Sequence, residues 1–235
     1  MNKIYSKVWN RSLGQLVVAS ELASTGQGRS GQTGTGASVT VKAVAVAMLA
    51  TGLPTLAIAN TYLSQQSCTT ATSDVVGRVN PGVTSTSASD GSGTYSNVAG
   101  CNASGNGWIG VAVYGSFATA TGNGAAAYGF LSSAAKWGTA AGLEATASGT
   151  AATALGFGST ANASNAVAIG GAGGNGTTPL SAANSTTASG AGSIAIGSNA
   201  TKGAQAAAQD AIAIGGQSGV VTGATSGIAM GRGAT

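Results

Sequence analysis

The sequence predicts an all-β fold, a solenoid of short parallel strands that advances by one coil about every 14 residues. Three observations predict it. Glycines close short apolar stretches at a nearly fixed spacing: Gly100, Gly115, Gly129, Gly142, Gly156, Gly170, Gly197, Gly215 and Gly231 stand 15, 14, 13, 14, 14, 27, 18 and 16 residues apart. Self-similarity at a fixed period is the mark of a repeat architecture. The three residues before each late glycine alternate apolar, Ala, apolar, as in VAI, IAI, IAI and IAM, and an alternation of two is that of a strand. Finally, 40 of the 235 residues are Gly and only 6% are charged. Too few bulky side chains are present for a large globular core, and too little charge for ordinary disorder. Small residues packed coil on coil fit both limits.

Residues 1–59 read as an address rather than as part of the mature fold. An unbroken apolar run, AVAVAMLA at 43–50, follows Lys42. Thr51, Gly52 and Pro54 interrupt it well short of the ~20 residues a membrane span needs. Ala57-Ile58-Ala59 has the small-x-small pattern of a signal cleavage site, so cleavage is expected between Ala59 and Asn60. This segment is expected to be helical or disordered. Its long opening, MNKIYSKVWNRSLGQLVVASELA, with Asn2, Lys3, Tyr5, Trp9, Asn10, Ser20, Glu21 and Leu22, resembles the extended signal peptide region of large Gram-negative autotransporters and related secreted adhesins. That resemblance implies export across the inner membrane.

The net charge is confined to this address. Lys3, Lys7, Arg11, Arg29 and Lys42 face only Glu21 before residue 60. Beyond it, Arg78, Lys136, Lys202 and Arg232 balance Asp74, Asp90, Glu144 and Asp210. No basic face is left for nucleic acid. The chain has no His, which removes the commonest general base and metal ligand. Its two cysteines do not complete a four-ligand zinc site. No catalytic, cofactor or metal residues are therefore expected.

Residues 60–96 are rich in Ser, Thr and Asp, and GRVNPG at 77–82 reads as a turn. A solenoid must cover its open end, so this segment is expected to be a cap or tip module. Cys68 and Cys101 bracket it. In an oxidising compartment they are expected to pair, which by loop closure contributes about 3–4 kcal/mol.

Residues 97–235 hold the repeats. In a strand, Val167 and Ile169 share one face and Ala168 takes the other. Ile194 with Ile196, and Ile212 with Ile214, repeat the pattern. These six are the expected repeat core, pointing into the coils or into a subunit interface, each stabilising by roughly 1.5–3 kcal/mol when buried. The 27-residue step is either a degenerate copy or an inserted loop. NAVAIGG, GSIAIGS and DAIAIGG look like the head repeats of trimeric autotransporter adhesins, the YadA-like head. The resemblance implies a left-handed parallel β-roll, a homotrimer, and display at the cell surface on a coiled-coil stalk. It also implies a role in adhesion to host matrix proteins such as collagen, to host cells or bare surfaces, or to other heads. The chain stops in mid-repeat and is expected to be the N-terminal piece of a longer protein, held to the outer membrane through an anchor outside it.

Two rival readings remain. Gly171, Gly173 and Gly176 spell the dinucleotide fingerprint G-x-G-x-x-G. The helix it requires does not follow: the next stretch contains Pro179, lacks a helical period, and reaches no acid before Asp210. These glycines are expected in a turn between coils. An ordered-surface binder of the ice-binding kind would need Thr at one fixed place in successive coils. Thr119, Thr121, Thr139, Thr146, Thr150, Thr153 and Thr160 read as scattered.

Overall fold

The structure, a computed structural model, describes residues 5–10, 15–20, 75–80, 82, 86–91 and 93–235. They fall in two units, Met1–Pro54 and Thr55–Thr235. In the first, β1 (Tyr5–Asn10) and β2 (Gln15–Ser20) form an antiparallel hairpin, from Tyr5 opposite Ser20 to Asn10 opposite Gln15. The expected helical or irregular backbone is thus corrected over these two stretches. YSKVWN and QLVVAS carry the aromatic and β-branched residues that favour strands. The apolar run at 43–50, the pair Ala59 and Asn60, and Cys68 lie outside the described residues.

The second unit is a parallel solenoid. Its strands are β3 (Asn97–Ala99), β4 (Ala112–Tyr114), β5 (Thr119–Ala120), β6 (Ala126–Tyr128), β7 (Ser133–Ala134), β8 (Thr139–Ala141), β9 (Thr146–Ala147), β10 (Thr153–Leu155), β11 (Thr160–Ala161), β12 (Val167–Ile169), β13 (Thr187–Ala188), β14 (Ile194–Ile196), β15 (Gln205–Ala206), β16 (Ile212–Ile214), β17 (Gly219–Val220) and β18 (Ile228–Met230). The three-residue strands stack into a nine-stranded sheet and the two-residue strands into a seven-stranded one. Each coil from β4 with β5 to β16 with β17 gives one strand to each sheet, while β3 and β18 stand in the nine-stranded sheet alone. Bridges from Ser89 to Ser104 and from Ser104 to Thr119 carry the stacking toward the N-terminus. Coil pairing therefore begins inside the stretch expected to be a cap.

The 27-residue step is one coil with an insertion. Between β12 and β13 the chain makes a loop with a short 3-10 turn, Ala182–Asn184, and then rejoins the stack in register. Gly171, Gly173, Gly174 and Gly176 sit at or in that loop, with Gly174 and Gly176 at positive φ. They open no α-helix.

Alanine, not isoleucine, fills the coils. Ala168, Ala195 and Ala213 are fully buried, while the flanking Val167, Ile169, Ile194, Ile196, Ile212 and Ile214 are only partly so. The expected repeat core is corrected in this respect: of the two directions foreseen, the interior of the coil is taken by the middle residue. The reason is volume. A typical coil turns four side chains inward, such as Val111, Val113, Ala118 and Ala120, or Ala152, Ala154, Ser159 and Ala161. A column that narrow has no room for a larger aliphatic at each level. Each buried methyl gives only about 0.8 kcal/mol, so one coil is weak and stability comes from the stack.

The turn glycines follow from the same close stacking. Gly129 has φ +122°, and a Cβ built on it would lie 2.6 Å from the carbonyl oxygen of Gly142 in the next coil. Gly115, Gly142, Gly156 and Gly215 repeat both features, whereas Gly197 shares the positive φ but meets the next coil first at Gly215 Cα, 3.1 Å away. Gly170 alone among the eight predicted turn glycines from Gly115 on lacks a positive φ. Its missing Cβ makes room for the Thr186 hydroxyl on the return from the insertion.

Candidate binding surfaces

With the interior filled by small residues, chemistry is left to the outside. The outer face of the nine-stranded sheet is apolar over its C-terminal coils, and Thr153, Thr139 and Asn97 continue one of its columns toward the N-terminus. Strand register puts Val167, Ile194, Ile212 and Ile228 in one column. A second column runs Tyr114, Tyr128, Ala141, Leu155, Ile169, Ile196, Ile214 and Met230. Tyr114 and Tyr128 stack at 5.6 Å with their rings 4° apart. Tyr114 and Tyr128 are 43% and 41% exposed. A continuous apolar stripe of this length is the kind of surface that marks an interface.

The outer face of the seven-stranded sheet is hydroxylic. Thr119, Ser133, Thr146, Thr160 and Thr187 stand directly over one another, about 4.7–4.9 Å apart as neighbouring strands are. Of the threonines that look scattered along the chain, Thr119, Thr146 and Thr160 are thus in register, whereas Thr139 and Thr153 pair with each other in the nine-stranded sheet. The unequal steps hid this, since 14, 13, 14 and 27 residues each amount to one coil. Thr119, Thr160 and Thr187 donate from Oγ1 to the carbonyls of Phe117, Gly158 and Ser185 at 3.4, 3.4 and 3.0 Å, which fixes their rotamers.

One ridge of turns carries exposed aromatics. Tyr95, Trp108, Ile109 and Trp137 are 86%, 40%, 51% and 61% exposed. The Lys136 ammonium lies 4.1 Å from the Trp137 ring centre. Tyr95 and Trp137 hold φ near +58°, at the coil position where Gly110, Gly124, Asn165, Gly192 and Asp210 adopt the same left-handed conformation. Bulky residues are disfavoured there. Strained, exposed aromatics with little packing to hold them are a signal of function, and one that composition did not give.

Cys101 is disulfide-bonded, and its expected partner Cys68 lies outside the described residues. Among the described residues no three His, Cys, Asp or Glu side chains come together.

Comparison with known families agrees with this geometry. Residues 1–51 match the model of the extended signal peptide of the type V secretion system. Residues 147–172 and 184–200 match two copies of the YadA head domain repeat. The second match resumes only after most of the inserted loop. No curated protein matches the chain. A type V signal ahead of a parallel β-solenoid defines an exported repeat protein. In kind and order, its two modules are consistent with the N-terminal portion of a trimeric autotransporter adhesin.

Proposed function

We propose that the mature chain is the head of a homotrimeric surface adhesin, assembled through the apolar face of the nine-stranded sheet. The observation that carries this reading is the unpaired column of Ile169, Ile196, Ile214 and Met230 beside Val167, Ile194, Ile212 and Ile228. A roll cored by alanine buries little apolar area alone, and three rolls packed on these faces bury a second face of each. The six predicted core residues then serve the interface between chains. The signal is removed after Ala59, Cys68 pairs with Cys101, and the head is displayed outside the outer membrane. Its action is non-enzymatic and multivalent, with partners among collagen-like matrix proteins, host-cell surfaces or other heads, and with autoaggregation or biofilm as the result. The aromatic ridge supplies the large anchors that binding hot spots use, and threefold copying raises avidity. Cells displaying the protein with Trp137→Ala should lose most adhesion to collagen-coated or bare surfaces while showing the same amount of head. Unchanged adhesion would remove the ridge from the contact.

The hydroxyl ladder favours a second reading, adsorption to an ordered surface. Five rungs at one-coil spacing form a regular lattice that an irregular protein partner does not need. Thr146→Lys with Thr160→Lys would break the lattice without touching the aromatic ridge. Loss of binding to a crystalline surface, with adhesion to protein coats retained, assigns that role to the ladder.

A further inference from the structure

The turn at 75–80 shows inverted burial. Val75, Val76 and Val79 are 61%, 42% and 41% exposed, while the Arg78 side chain is only 19% exposed. Among the described residues, the side-chain contacts of Arg78 lie on the flank of the solenoid. Its backbone N–H donates to Glu144 Oε1 at 2.7 Å, and Nε donates to Glu144 Oε2 at 2.7 Å. Nη1 donates to Ser185 Oγ at 2.9 Å and to the Leu180 carbonyl at 3.5 Å. The guanidinium carbon stands 5.5 Å from the Phe157 ring centre.

The receiving side is equally specific. Glu144 is 8% exposed at its side chain and holds φ +55°, where Phe117 and Leu131 hold the equivalent turns of their coils. A Cβ on Gly158 would fall 2.7 Å from Arg78 Nη2, and one on Gly77 would fall 2.5 Å from Glu144 Oε1. Leu180 and Ser185 both come from the inserted loop and are buried. A planar, charged group that meets one carboxylate oxygen, a ring face, a hydroxyl and a carbonyl is a guanidinium, and the second carboxylate oxygen is taken by the backbone N–H of the same residue.

We propose that the inserted loop completes an arginine-binding seat on the flank of the roll, and that the chain fills it with its own Arg78. The seat latches the turn ahead of the solenoid across the turns of two coils and the insertion of a third. This gives the insertion a purpose that lies beyond adhesion: it ties down a segment that joins neither sheet. Cys101, the residue after Gly100, occupies the place in its coil that Phe157, after Gly156, occupies in a later one. The disulfide of Cys101 and the Arg78 latch therefore attach along one ridge of turns.

The latch is tested by trypsin on the exported protein under native conditions. The bond after Arg78 is protected while its guanidinium is held, and cleavage tracks how often the segment opens. Glu144→Gln keeps the arginine and removes the ion pair, so cleavage after Arg78 should rise by about tenfold or more, with cleavage after the exposed Lys136 unchanged. Ser185→Ala, which removes one hydroxyl, should raise it by a smaller factor and serves if Glu144→Gln disturbs the coil. Equal rates of cleavage after Arg78 in the parent and both variants, with Lys136 protected equally, would overturn the seat.

Discussion

At the residue scale, one position along a strand separates a buried side chain from an outward-facing one. Ala195 and Ile196 are neighbours in β14, yet the first is fully buried in the coil and the second faces outward. Ala195→Asp places an unpaired carboxylate in an alanine column and should unfold the head, a loss of several kcal/mol. Ile196→Asp should leave the coil folded and act on association instead. Far-ultraviolet circular dichroism against temperature separates the two: equal melting of both variants would mean that the strand faces are misassigned. Gly129→Ala is the matching backbone test. The added Cβ meets the next coil at 2.6 Å with φ already at +122°, so it should cost at least ~1–3 kcal/mol. The same change at Gly171, where an added Cβ meets nothing within 4 Å and no positive φ is required, should cost less.

At the element scale, the coil period and strand alternation were legible in the sequence, because a glycine that stacks on glycine admits no substitute and so marks every turn. The face assignment was half legible. Alternation separates Ala168 from Val167 and Ile169, but periodicity cannot say which side is inside; the narrowness of a four-residue coil interior decides it. The threonine ladder was hidden by the uneven steps around it. Arg78 was not legible at all, since its partners Glu144, Phe157, Leu180 and Ser185 are 66 to 107 residues away. The insertion offers an element-scale prediction. Deleting residues 173–183 brings the 27-residue step to 16, within the range of the other steps. The coil stack should survive, with the melting temperature little changed and the bond after Arg78 opened to trypsin. Collapse of the whole head would show instead that the loop is integral to the stack.

At the scale of the whole molecule, behaviour turns on what covers the apolar sheet face. The chain beyond residue 60 carries four basic and four acidic residues, so neither assembly nor adhesion should depend chiefly on charge. Raising salt from about 0.01 to 1 M, which shortens the Debye length from about 30 to 3 Å, should leave adhesion nearly unchanged; a steep fall would reveal a charged contact. The central claim is that three rolls pack on Ile169, Ile196 and Ile214 and their neighbours. Light scattering on the purified mature protein, parent beside Ile196→Asp, tests it most directly. The account predicts three times the chain mass for the parent and a loss of that species in the variant. A parent head that is folded, stable and monomeric at low concentration would contradict it.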